Sequence, residues 1–339
     1  MDNTHEFDEQ LIDSACHSLI TKLQPLEDTR LKARKRRSKF WLIVLAVLVV
    51  AGAAFYTHVI LYNNSDASTY WIFGGVFALV SIIILHASFV SKYVTTFQKG
   101  VKEQVIKSLI TTLLPESKYL PDHHVSMQEY NNSLLYKTGY DRYNGKNLVE
   151  GIVDKTAIRF SELHTEYKTE TRSKNGGKQT QWHTIFQGIF MVADPNKNFE
   201  GRTYILPDTS ERLLGNLGKW FQKNIGDSRG QVVYMENPEF EKKFAVYATD
   251  PVEARYLITP KLQERLLSLS KHVGGAEIRV SFVSGKLYLT ISRATGLFNI
   301  DSSLSLLDVK TLKYYARDLT DMMSIVHILD LNTRIWTKE

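Results

Sequence analysis

The chain has 339 residues, 43% of them hydrophobic and 23% charged, with a formal net charge of +6 and a pI near 9.1. Arg30, Lys32, Arg34, Lys35, Arg36, Arg37 and Lys39 supply seven positive charges from one stretch, so the remainder is close to neutral and lacks the broad basic face that nucleic acid requires. A single cysteine, Cys16, excludes an intramolecular disulfide and a cysteine zinc cage, and fits a reducing compartment.

Phe7, Leu11, Ile12, Ala15, Leu19, Ile20 and Leu23 recur at three- and four-residue steps, which predicts an amphipathic helix ending near Pro25. Cys16 falls on its apolar stripe and reads as a small core residue, not a nucleophile. The stretch before the first apolar run is too long for a cleavable signal, and the run itself exceeds a signal h-region.

Phe40 to Tyr62 carries no formal charge over 23 residues. As a helix it would reach about 34 Å, enough to cross a hydrocarbon core of about 30 Å. Trp41, Tyr56 and Tyr62 sit where interfacial aromatic anchors belong. Residues 63–69 are short and polar, and Asn63-Asn64-Ser65 matches a glycosylation sequon that is common by chance. Tyr70 to Val90 is a second uncharged run, and Gly52 and Gly74-Gly75 would let two helices approach closely. Both outer flanks are rich in Lys and Arg, and the connecting loop has none. The positive-inside rule therefore predicts a membrane protein with two spans and both termini in the cytoplasm. Arg34, Lys35, Arg36, Arg37 and Lys39 are the membrane-flanking basic group. His58 and His86 lack a partner acid in the spans and do not make a proton relay or a transport pathway.

Phe97, Val101, Val105, Leu109, Leu113 and Leu114 predict another amphipathic helix up to Pro115. The two flanking helices would form a stalk or lie on the body, and the sequence leaves this open. From Tyr119 the texture turns to strands. They are expected at Ser133–Tyr140, Asn147–Val153, Ala157–Arg172 and Thr180–Ala193, with a hairpin at Lys174–Lys178 and an edge strand at Gly201–Leu206. A helix is expected at Ser210–Lys223. Strands at Gln231–Met235 and Lys243–Tyr247 follow. Asp250-Pro251 and Thr259-Pro260 each open a helix. A hairpin Glu277–Ser292 turns at Ser284-Gly285, and a last helix spans about Ser305–Leu331.

The expected fold is α+β: an N-terminal transmembrane helical hairpin, then a mostly antiparallel sheet domain with packed helices. The chain divides as 1–39, amphipathic helix and basic flank; 40–62, first span; 63–69, external loop; 70–90, second span; 91–118, cytoplasmic helix; and 119–339, cytoplasmic α+β domain.

Glu162, His164 and Glu166 alternate on one strand face, a pattern able to hold a divalent metal or supply a base. A solvated face is the preferred reading, with a membrane-bound, metal-assisted enzyme as the alternative. Asp122-His123-His124 reads as a solvated loop. No Walker A loop, dinucleotide fingerprint, nucleophile elbow or kinase set is present, so no catalytic residues, cofactor or metal are assigned. In Asp250, Glu253 and Arg255, the first caps a helix and the second stands at the N3 position of a near capping box. Arg255 would pair with either acid.

FQGIFMVAD (Phe186–Asp194), FAVYATDPVEARYLITP (Phe244–Pro260) and the closing LNTRIW (Leu331–Trp336) resemble a bacterial membrane-protein family, domain of unknown function 3137. The resemblance extends over about residues 30–336. It departs at Leu297–Ile300, where the family pattern has an acidic residue and a proline after the Phe. It implies an inner-membrane protein with a cytoplasmic domain and a LemA-like membrane protein as partner, and carries no catalytic residues. The reading is a membrane-anchored interaction or scaffold module whose partners are the lipid bilayer and a membrane protein, with homo-oligomerisation left open.

Overall fold

The computed structural model describes residues 9–62, 75, 78, 81–82, 84, 92–172, 178–195, 199–208 and 230–329. Two compact units are defined. One contains the described parts of Ile110–Asn299 and of the chain from Ala316, and the other those of Ile12–Leu109 with Ile300–Tyr315.

The helical unit begins within α1 (Glu9–Ile20) and continues into α2 (Gln24–Tyr62). Pro25 opens α2 instead of ending the helix before it. Proline lacks the N–H that a first turn leaves unpaired in any case. The basic flank expected as a separate segment is itself helical, so α2 runs without a break from Gln24 into the apolar run. A returning helical stretch covers residues 92–113. It includes a π-helical segment, Val101–Ile106, and α3 (Lys107–Leu113). Phe97, Val101, Val105 and Leu109 are buried along it, as the periodicity predicted. A Cβ on Gly100 would stand 2.5 Å from Leu26 Cδ1, so the glycine lets α2 pack closely here. Of the expected second span, only Gly75, Ala78, Ser81, Ile82 and Ile84 are described, each helical. The loop 63–69, the side chain of His58, and His86 lie outside the described residues.

In the other unit, nine strands form one antiparallel sheet among the described residues. They are β1 (Lys118–Leu120), β2 (Arg142–Val153), β3 (Thr156–Arg172), β4 (Lys178–Ala193), β5 (Thr203–Pro207), β6 (Gln231–Val233), β7 (Phe244–Ala248), β8 (Ile278–Val283) and β9 (Lys286–Ser292). The spatial order is β1-β2-β3-β4-β9-β8-β5-β7-β6. The two sequence blocks therefore share one sheet, joined where β4 pairs β9 from Gly188↔Ser292 to Ala193↔Leu287. Gly188 is required there, because a Cβ would stand 2.1 Å from the Ile291 carbonyl oxygen. Helices α4 (Met127–Asn132), α5 (Pro238–Glu241), α6 (Pro251–Leu257) and α7 (Pro260–His272) complete this part of the chain, and α8 (Val309–Ile328) follows.

Two expectations are corrected. Gly201–Leu206 does not form an edge strand: β5 lies between β8 and β7 and is buried along Thr203–Leu206. Pro207 falls beyond Ile205, the last residue paired with β8, and closes the strand. Such doubly covered strands read as continuous apolar runs, which is how YIL and FAVYA look. Ser133–Tyr140 is not a strand. It leaves α4 through Leu134, at φ +53°, and its aromatic content serves packing instead of pairing. Tyr136 stacks on Tyr130 at 5.7 Å, and Tyr130 meets Tyr140, Tyr143 and Phe190 at 5.8, 5.5 and 5.6 Å. This tyrosine cluster belongs to the core that Leu163, Phe186, Tyr204, Tyr247 and Tyr288 share. Burial pushes the Tyr130 phenol up to about 12, and its hydroxyl bonds Thr165 at 3.0 Å. The tip Lys174–Gly177 lies outside the described residues, but the register Arg172↔Lys178 joins the flanking strands as an antiparallel pair. Ser210–Lys223 also lies outside the described residues.

Candidate functional site

The most distinctive construction is α2. At its start, Glu27 and Arg30 are one helical turn apart and both are buried. The Glu27 carboxylate accepts Arg30 Nη2 and Nε at 2.6 and 2.9 Å, the Ser305 hydroxyl at 2.9 Å and the Leu306 N–H at 3.0 Å. Arg30 also donates to the carbonyls of Ser302 and Ser303. Burial alone would raise the Glu27 carboxyl. The bonds from Arg30, Leu306 and Ser305, with the Arg30 charge, outweigh it and hold the carboxyl below its ordinary range. Arg30 is pushed up, chiefly by its bonds to Glu27. Arg30 thus leaves the basic cluster with which the sequence groups it and becomes a clamp between α2 and the 302–306 segment.

Beyond it, Lys32, Arg34, Lys35, Arg36, Arg37 and Lys39 are all exposed on the helix. The Arg36 guanidinium lies 4.2 Å over the Tyr93 ring and bonds the Tyr93 hydroxyl. From Trp41 the surface turns apolar: Leu42, Ile43, Leu45, Val47, Leu48, Val49 and Val50 are all exposed. This part of α2 is long and apolar enough to cross a membrane, and almost none of it is buried.

On the Glu162–Glu166 face of β3, His164 Nε2 and a Glu166 carboxylate oxygen lie 3.9 Å apart, while Glu162 is engaged elsewhere. Glu162 accepts the Leu297 N–H at 2.9 Å and lies 3.4 Å from Lys146 Nζ. It also fills the space where a Gly296 side chain would stand. His164 contacts the Thr184 hydroxyl at 3.2 Å, and Glu166 pairs with Arg142 at 3.7 Å. A bulge between Thr165 and Glu166 breaks the register with β4. Among the described residues, no group of three or more His, Cys, Asp and Glu side chains is placed to hold a metal ion. His124 packs edge-on against Tyr143 at 5.2 Å and is half-buried, not a solvated loop residue.

Asp250 caps α6, accepting the N–H groups of Val252 and Glu253 at 2.8 and 3.1 Å. Glu253 reaches outward from the cap: its carboxylate accepts the N–H groups of Glu200 and Gly201 at 2.9 and 2.8 Å. It ties the segment before β5 to α6. Arg255 is exposed and, among the described residues, pairs with neither acid. Cys16 is buried, and burial first, then Asp13, pushes its thiol up to about 11. A thiol held that high is inert at neutral pH.

The sequence reading passed over two carboxylates with defined tasks. Glu27 is one; its signal was the acid three residues before a base within a helix. Asp318 is the other. It accepts the Phe298 N–H at 2.6 Å and Arg293 Nη1 at 2.8 Å. Together with Glu162 it fixes the loop after β9, where Phe298 sits at φ +52° and is buried.

These features define an α+β protein carrying a helix fit to cross a membrane. The sequence model of the family described as "Protein of unknown function (DUF3137)" matches residues 184–331, which contain both longer segments of the resemblance, and the chain resembles that family over this stretch. No curated protein is a significant match. Among solved structures, the mycobacterial trehalose monomycolate transport factor A, TtfA, aligns with 68% of this chain and 96% of its own length. The identity is 9% and the TM-score 0.35, a likeness that carries no argument about function.

Proposed function

We propose that this protein is a membrane-anchored interaction or scaffold module whose α+β part works in the cytoplasm. The observation that supports it is the continuity of α2. One helix is clamped by a buried ion pair at its start, passes through exposed cations, and ends in an exposed apolar surface. Uncovered apolar side chains in such a row need a non-aqueous environment, and a bilayer of about 30 Å matches their length. The cations before them support a cytoplasmic side for that end, by the positive-inside rule. In this reading Tyr70–Val90 returns through the inner membrane to complete a hairpin. The α+β part then binds a membrane protein, for which the family resemblance suggests a LemA-like partner.

The test is chemical crosslinking of the membrane-embedded protein in cells that contain a LemA-like protein, compared with a variant lacking residues 119–339. A crosslink that requires the α+β part supports the module. A protein washed from membranes by alkaline carbonate, or turnover of a substrate by the purified protein, contradicts it.

A further inference from the structure

Lys32, Lys35, Arg36 and Lys39 stand at positions i, i+3, i+4 and i+7 of α2. On a helix of 3.6 residues per turn this spacing gathers them on one face. All four are exposed. The buried residues of the same helix, Leu26, Glu27, Arg30, Ala33 and Val44, lie away from this face. No acidic residue lies between Asp28 and Lys39, and the one nearby carboxylate that is buried, Glu27, is taken by Arg30. Among the described residues, no carboxylate pairs with these four cations. One of its members is held in place: Arg36 stacks on the Tyr93 ring, which leaves guanidinium edge donors available for a second acceptor.

The face also sits at a defined height. Lys39 immediately precedes Phe40, and Arg36 lies four residues before it. At 1.5 Å per residue, Lys35, Arg36 and Lys39 fall within about 8 Å of the start of the apolar run, the depth of a headgroup layer.

We propose that Lys32, Lys35, Arg36 and Lys39 form a binding face for anionic phospholipid headgroups in the leaflet where α2 enters. This inference rests on the membrane-anchor reading. The guanidinium supplies a forked donor to the phosphodiester, and the three ammonium groups supply point charges that hold the headgroup's second anionic or hydroxyl oxygens. Arg34 and Arg37 are also exposed but lie off this face, which provides an internal control.

The experiment uses the full-length protein purified in detergent with an equal mixture of phosphatidylglycerol and phosphatidylcholine. Retained lipids are counted by native mass spectrometry. The wild type should retain phosphatidylglycerol several-fold over phosphatidylcholine. Lys35→Gln/Lys39→Gln and Arg36→Gln should lower that preference by about five-fold for each cation removed, until it reaches unity. Arg34→Gln/Arg37→Gln, with the same change in charge as the first pair, should leave it intact. Equal loss from both pairs would overturn the inference in favour of a general charge effect. So would the absence of any preference, displacement by inorganic phosphate, or retention of an acidic protein in place of lipid. Carbonate extraction of the wild type, scored separately, bears on the anchor reading itself.

Discussion

Helices α2 and α8 draw on the same apolar residue types and use them in opposite ways. In α8, Leu312, Leu319, Met322, Met323, Ile325 and Val326 are buried, and Thr320 and Arg317 lie on the other side. In α2 beyond Phe40, Leu, Ile and Val side chains are exposed around the helix, and Val44 is a rare buried exception. An amphipathic helix is explained by the protein beneath it. A helix that is apolar all round is explained only by a core or by lipid, and among the described residues almost nothing covers α2 beyond Phe40. Hydropathy and burial both separate them: among the described residues only α2 is long and apolar enough to cross a membrane.

The sharpest way to break this comparison is to place charges in α2. Val47→Arg/Leu48→Arg should cost on the order of 6 kcal/mol of insertion, from about 3 kcal/mol per Arg at a bilayer centre. The variant should be released by alkaline carbonate, and its retention would remove lipid from the account of α2. Next in size is the clamp. Glu27→Ala leaves Arg30 buried without its carboxylate and should cost about 3–5 kcal/mol by thermal or denaturant unfolding. The same group gives a pH dependence. Its folded carboxyl titrates below its ordinary value of 4.5. Its contribution is therefore complete above about 4.5 and is lost as pH falls through the lower folded value. In Glu27→Gln this acid limb should flatten.

A third variant sharpens the contrast between the helices. Leu319→Ala should cost about 2–5 kcal/mol by creating a cavity, whereas Leu48→Ala should leave the melting of the folded part unchanged. Smallest is the α6 cap, where Asp250→Ala should cost about 1 kcal/mol and Asp250→Asn close to nothing. A larger loss from Asp250→Asn would show that the carboxylate does more than cap.

Much of the fold was legible because its signals are local. The alternation in β3 and β4, the Asp250-Pro251 and Thr259-Pro260 starts, and the Ser284-Gly285 turn are each decided within a few residues. What failed was set by distant partners. Glu162, on a strand face read as solvated with a metal site as the alternative, accepts from Leu297, on a loop that sequence does not bring near it. Glu253 stood at a capping-box position, yet Glu200 and Gly201 claim its oxygens. Ser133–Tyr140 has strand composition because its tyrosines cover a sheet, not because they join one. Arg30 was assigned to the basic flank although Glu27, one turn earlier, was in plain view. Charge counting ignores whether a charge is buried.

The central claim is that α2 carries its cations on one side of a membrane and its apolar run through it. In a Cys16→Ser background, single cysteines at Lys39, Val50 and Asp66 can be labelled with a membrane-impermeant maleimide in intact bacteria and in inverted membrane vesicles. Labelling is expected at position 66 in intact cells, at position 39 in inverted vesicles, and at position 50 in neither. Labelling of position 50 in both preparations, or of position 39 in intact cells, would contradict the claim.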